Sequence, residues 1–199
     1  MRAVIALVVI ALVTGVFGMS QTQAKTRLVN QMAEIYNNAG NIEIGQGYAG
    51  ETGKTYAKDR KDGKKPFVVF DTPQMGLRAM MMDLRTKITR HKGSLLDMIT
   101  EYAPPSENRT DLYYNFVKSE LNGDDMVNST MLIPVVKAML TFENRGLTYT
   151  KEDGSEGLIT EYYLKDSKII QEAFSLSKSQ LPSDTSYKKA VESLQNQNK

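Results

Sequence analysis

After residue 72, apolar side chains recur at three- and four-residue intervals, the spacing of one face of a helix. Leu77, Met80, Met81, Leu84 and Ile88 form the first such face, with Thr72 placed to cap it and Pro73 in its first turn. Arg90, His91 and Lys92 occupy its last turn, where positive charge suits the helix dipole, and Gly93 closes it. Ser94 caps the next helix, with Asp97 three residues on and Leu95, Met98, Ile99 and Tyr102 facing inward. Pro104 and Pro105 stop it, because proline lacks an amide donor and restricts its predecessor. Thr110 is expected to begin a third helix, with Tyr113, Phe116, Val117 and Leu121 inward. Residues 122–125, "NGDD", read as a loop. Ser129 or Thr130 then caps a helix bearing Leu132, Val135, Val136, Met139, Leu140 and Phe142, apolar enough to be central.

The pattern before residue 72 is different. Leu28, Met32 and Ile35 predict a short helix over 26–36, ended by Asn37, Asn38, Ala39 and Gly40. Ile42 and Ile44 alternate with polar residues, but Gly45, Gly47, Gly50 and Gly53 rule out a long strand, so 41–53 reads as a small irregular β region. "PFVVF", 66–70, is the clearest strand. Near the C-terminus, 147–164 reads as a hairpin turning at Asp153-Gly154, and helices are expected near 167–177 and 184–195. The fold class expected is α+β, mainly helical, with a small glycine-rich β region beside a helical lobe.

Residues 3–18, "AVIALVVIALVTGVFG", are almost wholly apolar and uncharged, and Arg2 precedes them. The run falls short of the roughly 20 residues a spanning helix needs. With Thr22, Gln23 and Ala24 as a small-residue cleavage site, it reads as a secretory signal peptide or, uncleaved, as a membrane anchor. The expected organisation is a leader or anchor over 1–24, a globular domain over 25–164, and a helical extension over 165–199.

At 199 residues and 41% apolar content, one packed core is expected, burying roughly 70% of the unfolded chain's surface. The chain has no cysteine and one histidine, so disulfides are excluded, a zinc site is not expected and no cofactor is implied. Net charge is +2, and loss of Arg2 with the leader leaves +1, which is no nucleic-acid signature. Basic residues do gather over 54–65, six Lys or Arg against two Asp, as a solvated hairpin or a weak site for an anionic polymer. His91 sits beside Arg90 and Lys92 as an ordinary helix-end cation. The methionines 80–82 suit an irregular core. Tyr36, Tyr48, Tyr102, Tyr113 and Tyr114 flank the polar loops, in positions that serve packing or sugar contact equally.

Three carboxylates stand near those loops. Glu34 ends the first helix, Glu107 sits in the cluster after the prolines, and Glu143 ends the central helix. A glycosidase needs a protonated acid and usually a second carboxylate within roughly 5–10 Å. Surface or capping roles account for each of the three equally well.

Four segments occur in a fixed order: "NNAGNI" (37–42), "FVVFDTPQMGLRAM" (67–80), "YAPPSENRTDLYYNFV" (102–117) and "AMLTFENRG" (138–146). Together they resemble a group of bacteriophage virion-associated proteins with N-N-P-G-N-I, F-x-x-F-x-x-x-x-x-G-x-R-A and A-P-P-x-E-N-x-T segments. Ala39 stands where that pattern has proline. The resemblance implies a virion-associated protein acting at the host envelope, with a lysozyme- or transglycosylase-like role on peptidoglycan or another envelope glycopolymer. Glu34, Glu107 and Glu143 would then be its candidate acids, and Asn38, Asn41, Tyr48, Asn108 and Thr110 its candidate substrate contacts. Other virion proteins, and a membrane through residues 1–24, are the further partners implied. A non-catalytic structural or genome-ejection component is the alternative, and a secreted binding module a weaker one. The 104–110 corner is expected to hold either a buried polar network, with Glu107 accepting from amides and Asn108 bridging loops, or a saccharide or catalytic site.

Overall fold

A computed structural model describes residues 36–55, 64–151, 153–165, 167–181 and 183–184. The apolar run at 3–18, the helix expected over 26–36 with Glu34, the Asp62-Gly63 turn and most of the helix expected near 184–195 lie outside them. Among the described residues no helix is long and apolar enough to cross a membrane.

The protein is α+β and mainly helical, as the periodicity predicts. Strand β1 (Glu51–Thr55) pairs antiparallel with β2 (Phe67–Phe70), with a register shift between Glu51 and Gly53. Val68 and Phe70 point into the core. The other edge of β2 is also met. Val68 N–H donates to the Ile42 carbonyl (2.9 Å), and Ile44 N–H to that of Pro66 (3.0 Å). The glycine-rich region thus flanks β2 on both edges rather than forming a free strand.

Helix α1 (Pro73–Arg90) starts as its sequence predicts, with Thr72 extended and its hydroxyl accepting from the Met75 amide (3.3 Å). Leu77, Met80, Met81 and Leu84 are completely buried. Lys92 and Gly93 end the helix with positive φ, and the Gly93 amide returns to the Ile88 carbonyl (2.9 Å). A Cβ at Gly93 would lie 2.5 Å from the Val127 carbonyl oxygen, so glycine is required twice over. Helix α2 (Leu95–Tyr102) is capped by Ser94, helix α3 spans Thr110–Glu120, and a 3-10 turn (Ser129–Met131) leads into α4 (Leu132–Glu143). The cap of that turn is Asn128, which accepts from the Thr130 amide (2.9 Å), rather than Ser129 or Thr130 themselves. An extended residue ahead of the turn serves better than one inside it.

Strands β3 (Thr148–Thr150) and β4 (Glu156–Leu158) form the hairpin expected around Asp153-Gly154. Pairing stops at Leu158, and helix α5 (Ile159–Lys165) replaces the remainder of the expected strand. Ile159 and Tyr163, four positions apart, are buried together, so helical spacing prevails there. Helix α6 (Ser167–Leu176) lies along α1 and adds Ile169, Ile170 and Ala173 to the core. α1 and α4 share the centre: α1 packs on β2, α2, α4 and α6, and α4 on α1, α3, α5 and the 3-10 turn.

Candidate functional site

The 37–42 turn is a tightly held platform. Asn37 and Asn41 adopt positive φ (52° and 50°), which asparagine tolerates better than most residues. Asn38 is wholly buried. Its amide nitrogen donates to the Ile42 (2.9 Å) and Val68 (2.8 Å) carbonyls, and its oxygen accepts the Ile42 amide (2.7 Å). Every strong group of that side chain is therefore used to fasten the turn to β2. Asn37 donates to the Phe70 carbonyl (3.0 Å), and the buried Asn144 to that of Ala39 (3.2 Å). Helix α1 comes so close that a Cβ on Gly76 would lie 1.7 Å from the Asn37 carbonyl oxygen.

Asn41 is the residue of this turn that reaches across the fold. Its side-chain amide donates to the Glu143 carboxylate (3.0 Å) at the end of α4. Glu143 keeps partial exposure as a residue, while its carboxylate is surrounded by protein. Removal from bulk water pushes its pKa above the ordinary carboxylate value, against the opposing influence of Tyr113 and Asn41. The Tyr113 hydroxyl lies beside the same carboxylate without an aligned hydrogen bond, and it is the one buried side-chain polar atom among the described residues lacking one. Tyr113 stacks on Phe142 with centroids 4.1 Å apart and meets Tyr102 edge-on at 6.3 Å. The Tyr102 hydroxyl donates to the Gly40 carbonyl. Burial, then Glu143, Asp83 and Tyr48, push the Tyr102 phenol well up. Tyr48, raised first by burial, also closes its own turn, its amide donating to Glu51 (2.6 Å).

The proline corner is built otherwise than expected. The Pro104 carbonyl accepts from the amides of Glu107 (2.9 Å) and Asn108 (3.0 Å), so the backbone makes the turn. Arg109 precedes α3 and gives no side-chain cap. Thr110 lies inside the helix, buried, with its hydroxyl donating to the Ala103 carbonyl (2.5 Å) and tying the two helix ends together. Glu107 and Asn108 are exposed, and Glu107 pairs with Lys64. The expected polar network therefore reduces to the Thr110 tie, because the carboxylate and the amide face solvent. Pro105, Glu107, Asn108, Arg109 and Phe142 line an open recess of about 460 Å³.

Of the predicted site residues, Asn41 and Glu143 meet directly. Tyr48 closes its own turn with Glu51, Asn38 is a fold fastener, and Glu107 and Asn108 stand at the recess, whose lining does not include Glu143. Glu34 lies outside the described residues. The sequence reading missed the roles of Asn144 and Tyr113. The "FENRG" segment carried a signal for Asn144, since an asparagine directly after an apolar helix is poised to bond a neighbouring loop.

No family model matches the chain. It is, however, similar to a protein encoded by a bacteriophage. That relative is Protein P5 of Pseudoalteromonas phage PM2, 29% identical over 138 residues, which span 68% of this chain and 86% of that protein. The similarity agrees with the phage kinship implied by the ordered motifs and carries no information on lysozyme-like activity.

Proposed function

We propose that the protein is a virion-associated component of a bacteriophage that works by assembly and contact rather than by catalysis. Its similarity to a phage protein over most of both chains is the observation that carries this reading. The disposition of the acids supports it. Glu107 is exposed and paired with Lys64, and Glu143 is held by Asn41 away from the recess that Glu107 lines. A pair of carboxylates facing one cleft, which glycan hydrolysis ordinarily requires, is not formed by these two. Other virion proteins are the natural partners, and the apolar run at 3–18 favours a position at a membrane. Quantitative mass spectrometry of density-purified particles tests this. The chain should co-purify at a fixed copy number per particle, and recovery only in the unassembled fraction would defeat the reading.

A second reading rests on the raised pKa of Glu143. A raised pKa moves a carboxylic acid toward the protonated form that donation to a glycosidic leaving oxygen needs. In that case the protein would cleave an envelope glycan strand, with Glu143 as acid and Asn41 holding it. Release of soluble fragments from purified peptidoglycan by the wild-type chain and by Glu143→Gln distinguishes the two. Release by the wild type that falls at least a hundredfold in the variant favours catalysis, and no release by either favours assembly.

A further inference from the structure

Asn122 and Gly123, just beyond α3, are the only asparagine–glycine step in the sequence. Both have positive φ (58° and 89°). The Gly123 amide donates to the Lys118 carbonyl (2.9 Å) and the Asn122 amide to that of Ser119 (3.2 Å), so the step closes the helix end. Asn122 is exposed, and its side chain makes no hydrogen bond among the described residues. The side chains of Asn38, Asn41, Asn128 and Asn144 are all engaged.

This step joins an electrophile to a nucleophile. The Asn122 side-chain carbonyl carbon and the Gly123 backbone nitrogen can close a five-membered ring, and glycine has no Cβ to obstruct the attack. The nitrogen first gives its proton to solvent and then bonds to that carbon. The bond to the side-chain amide nitrogen breaks, and protons from water carry that nitrogen away as ammonia. Water then opens the cyclic imide at one of its two carbonyl carbons, leaving aspartate or isoaspartate. The N–H that must be given up is the one held by Lys118, so the reaction waits for the turn to open. Helix ends open more readily than the core.

The position matters because residues 121–127 strap α3 to the corner between α1 and α2. The Asp125 carbonyl accepts the Leu95 amide (2.9 Å), and the Val127 amide donates to the Gly93 carbonyl (2.8 Å). The Asp125 carboxylate is held by Lys118 (2.7 Å) and by the Tyr114 hydroxyl. Conversion of Asn122 adds a negative charge at the negative end of α3, beside Asp124 and Asp125. Isoaspartate also inserts one backbone carbon ahead of Gly123, which shifts its amide off the Lys118 carbonyl.

We propose that Asn122 is a self-modifying position, converted to aspartate and isoaspartate through a cyclic imide with Gly123, that the last turn of α3 gates the conversion, and that conversion loosens the 121–127 strap. Peptide mapping by mass spectrometry of the full chain, aged at mildly alkaline pH with and without urea, tests the site and the gate. Asn122 should convert ahead of Asn128, and at least about tenfold faster in urea than in the folded chain. Prior conversion of Asn128, or equal rates in the two conditions, overturns the assignment. Glu120→Gly, at an exposed position in that turn, frays the helix end and should speed conversion in the folded chain by about fivefold while leaving the rate in urea unchanged. An unchanged folded rate overturns the gate. Hydrogen exchange of the aged chain tests the strap. The Leu95 and Val127 amides should exchange at least about tenfold faster in converted chains than in Asn122→Gln aged alongside, whose longer side chain resists ring closure. Equal exchange in the two overturns the loosening.

Discussion

The Asn41 side-chain amide donates to the Glu143 carboxylate across 102 positions of sequence and joins the first turn of the described fold to the end of α4. The carboxylate sits where its charge is disfavoured, and this fixes the sign of its pH dependence. An acid whose folded-state pKa is raised stabilises the fold below that pKa, and the benefit is lost as pH rises through it. The wild type should therefore gain stability on acidification from neutral pH toward the ordinary glutamate value of about 4.5. Glu143→Gln keeps an acceptor for Asn41 and should lack this gain. Urea midpoints of both chains across that window provide the check, and parallel curves would contradict the raised pKa.

Asp184 has the opposite sign. Burial alone would raise it, but hydrogen bonds from Arg78, Leu181 and Ala49 outweigh burial and hold it below the ordinary aspartate value. Its contribution is present above about pH 3.8 and is lost as pH falls further through the folded pKa. Arg78→Met leaves a buried carboxylate unpaired and should cost about 3–5 kcal/mol, whereas Arg78→Met combined with Asp184→Leu should recover a large part of that. A double-mutant cycle by chemical denaturation measures the difference.

Gly76→Ala should be among the most damaging single-methyl changes in the chain. The added Cβ would meet backbone rather than a yielding side chain, since the Asn37 carbonyl oxygen lies 1.7 Å from its position. The turn and α1 must separate, at a cost of about 1–3 kcal/mol or more. Helix propensity alone argues the reverse, because alanine is favoured over glycine by about 1 kcal/mol inside a helix. Thermal melting of the variant decides between the two.

At the proline corner two substitutions should move stability in opposite directions. Thr110→Val deprives the Ala103 carbonyl of its buried donor and should cost about 1–3 kcal/mol. Arg109→Asn places a capping side chain where none acts now and should stabilise by about 0.5–1 kcal/mol. Denaturant midpoints of the two variants test both signs together.

Much of the helical framework was legible in the sequence because its signals are local. Thr72 with Pro73, Ser94 with Asp97, and the prolines at 104 and 105 each act within a turn of where they stand. Residues 159–165 misled because a short apolar run fits either a strand or a helix, and packing against the core chose the helix. Thr110 begins its helix as expected, but nothing local told that its hydroxyl reaches back to the preceding helix. The ties of Asn41 to Glu143 and of Arg78 to Asp184 leave no local trace. Their partners are named only when the chain folds, although an arginine next to Leu77 on an otherwise apolar helix face was a visible anomaly.

Three ties of the 37–49 region run late in the chain: Asn41 to Glu143, Ala39 to Asn144 and Ala49 to Asp184. During synthesis at roughly 5–20 residues per second, this region would wait about 5–20 s for α4 to appear. Until then β2 has its neighbours from 42–44 and β1 but no complete helical cover, and its apolar Val68 and Phe70 face stays open to other chains. The nascent protein's vulnerable interval is therefore set by the order of its elements along the message, and a ribosome stall before codon 143 should yield a chain that aggregates rather than one that waits.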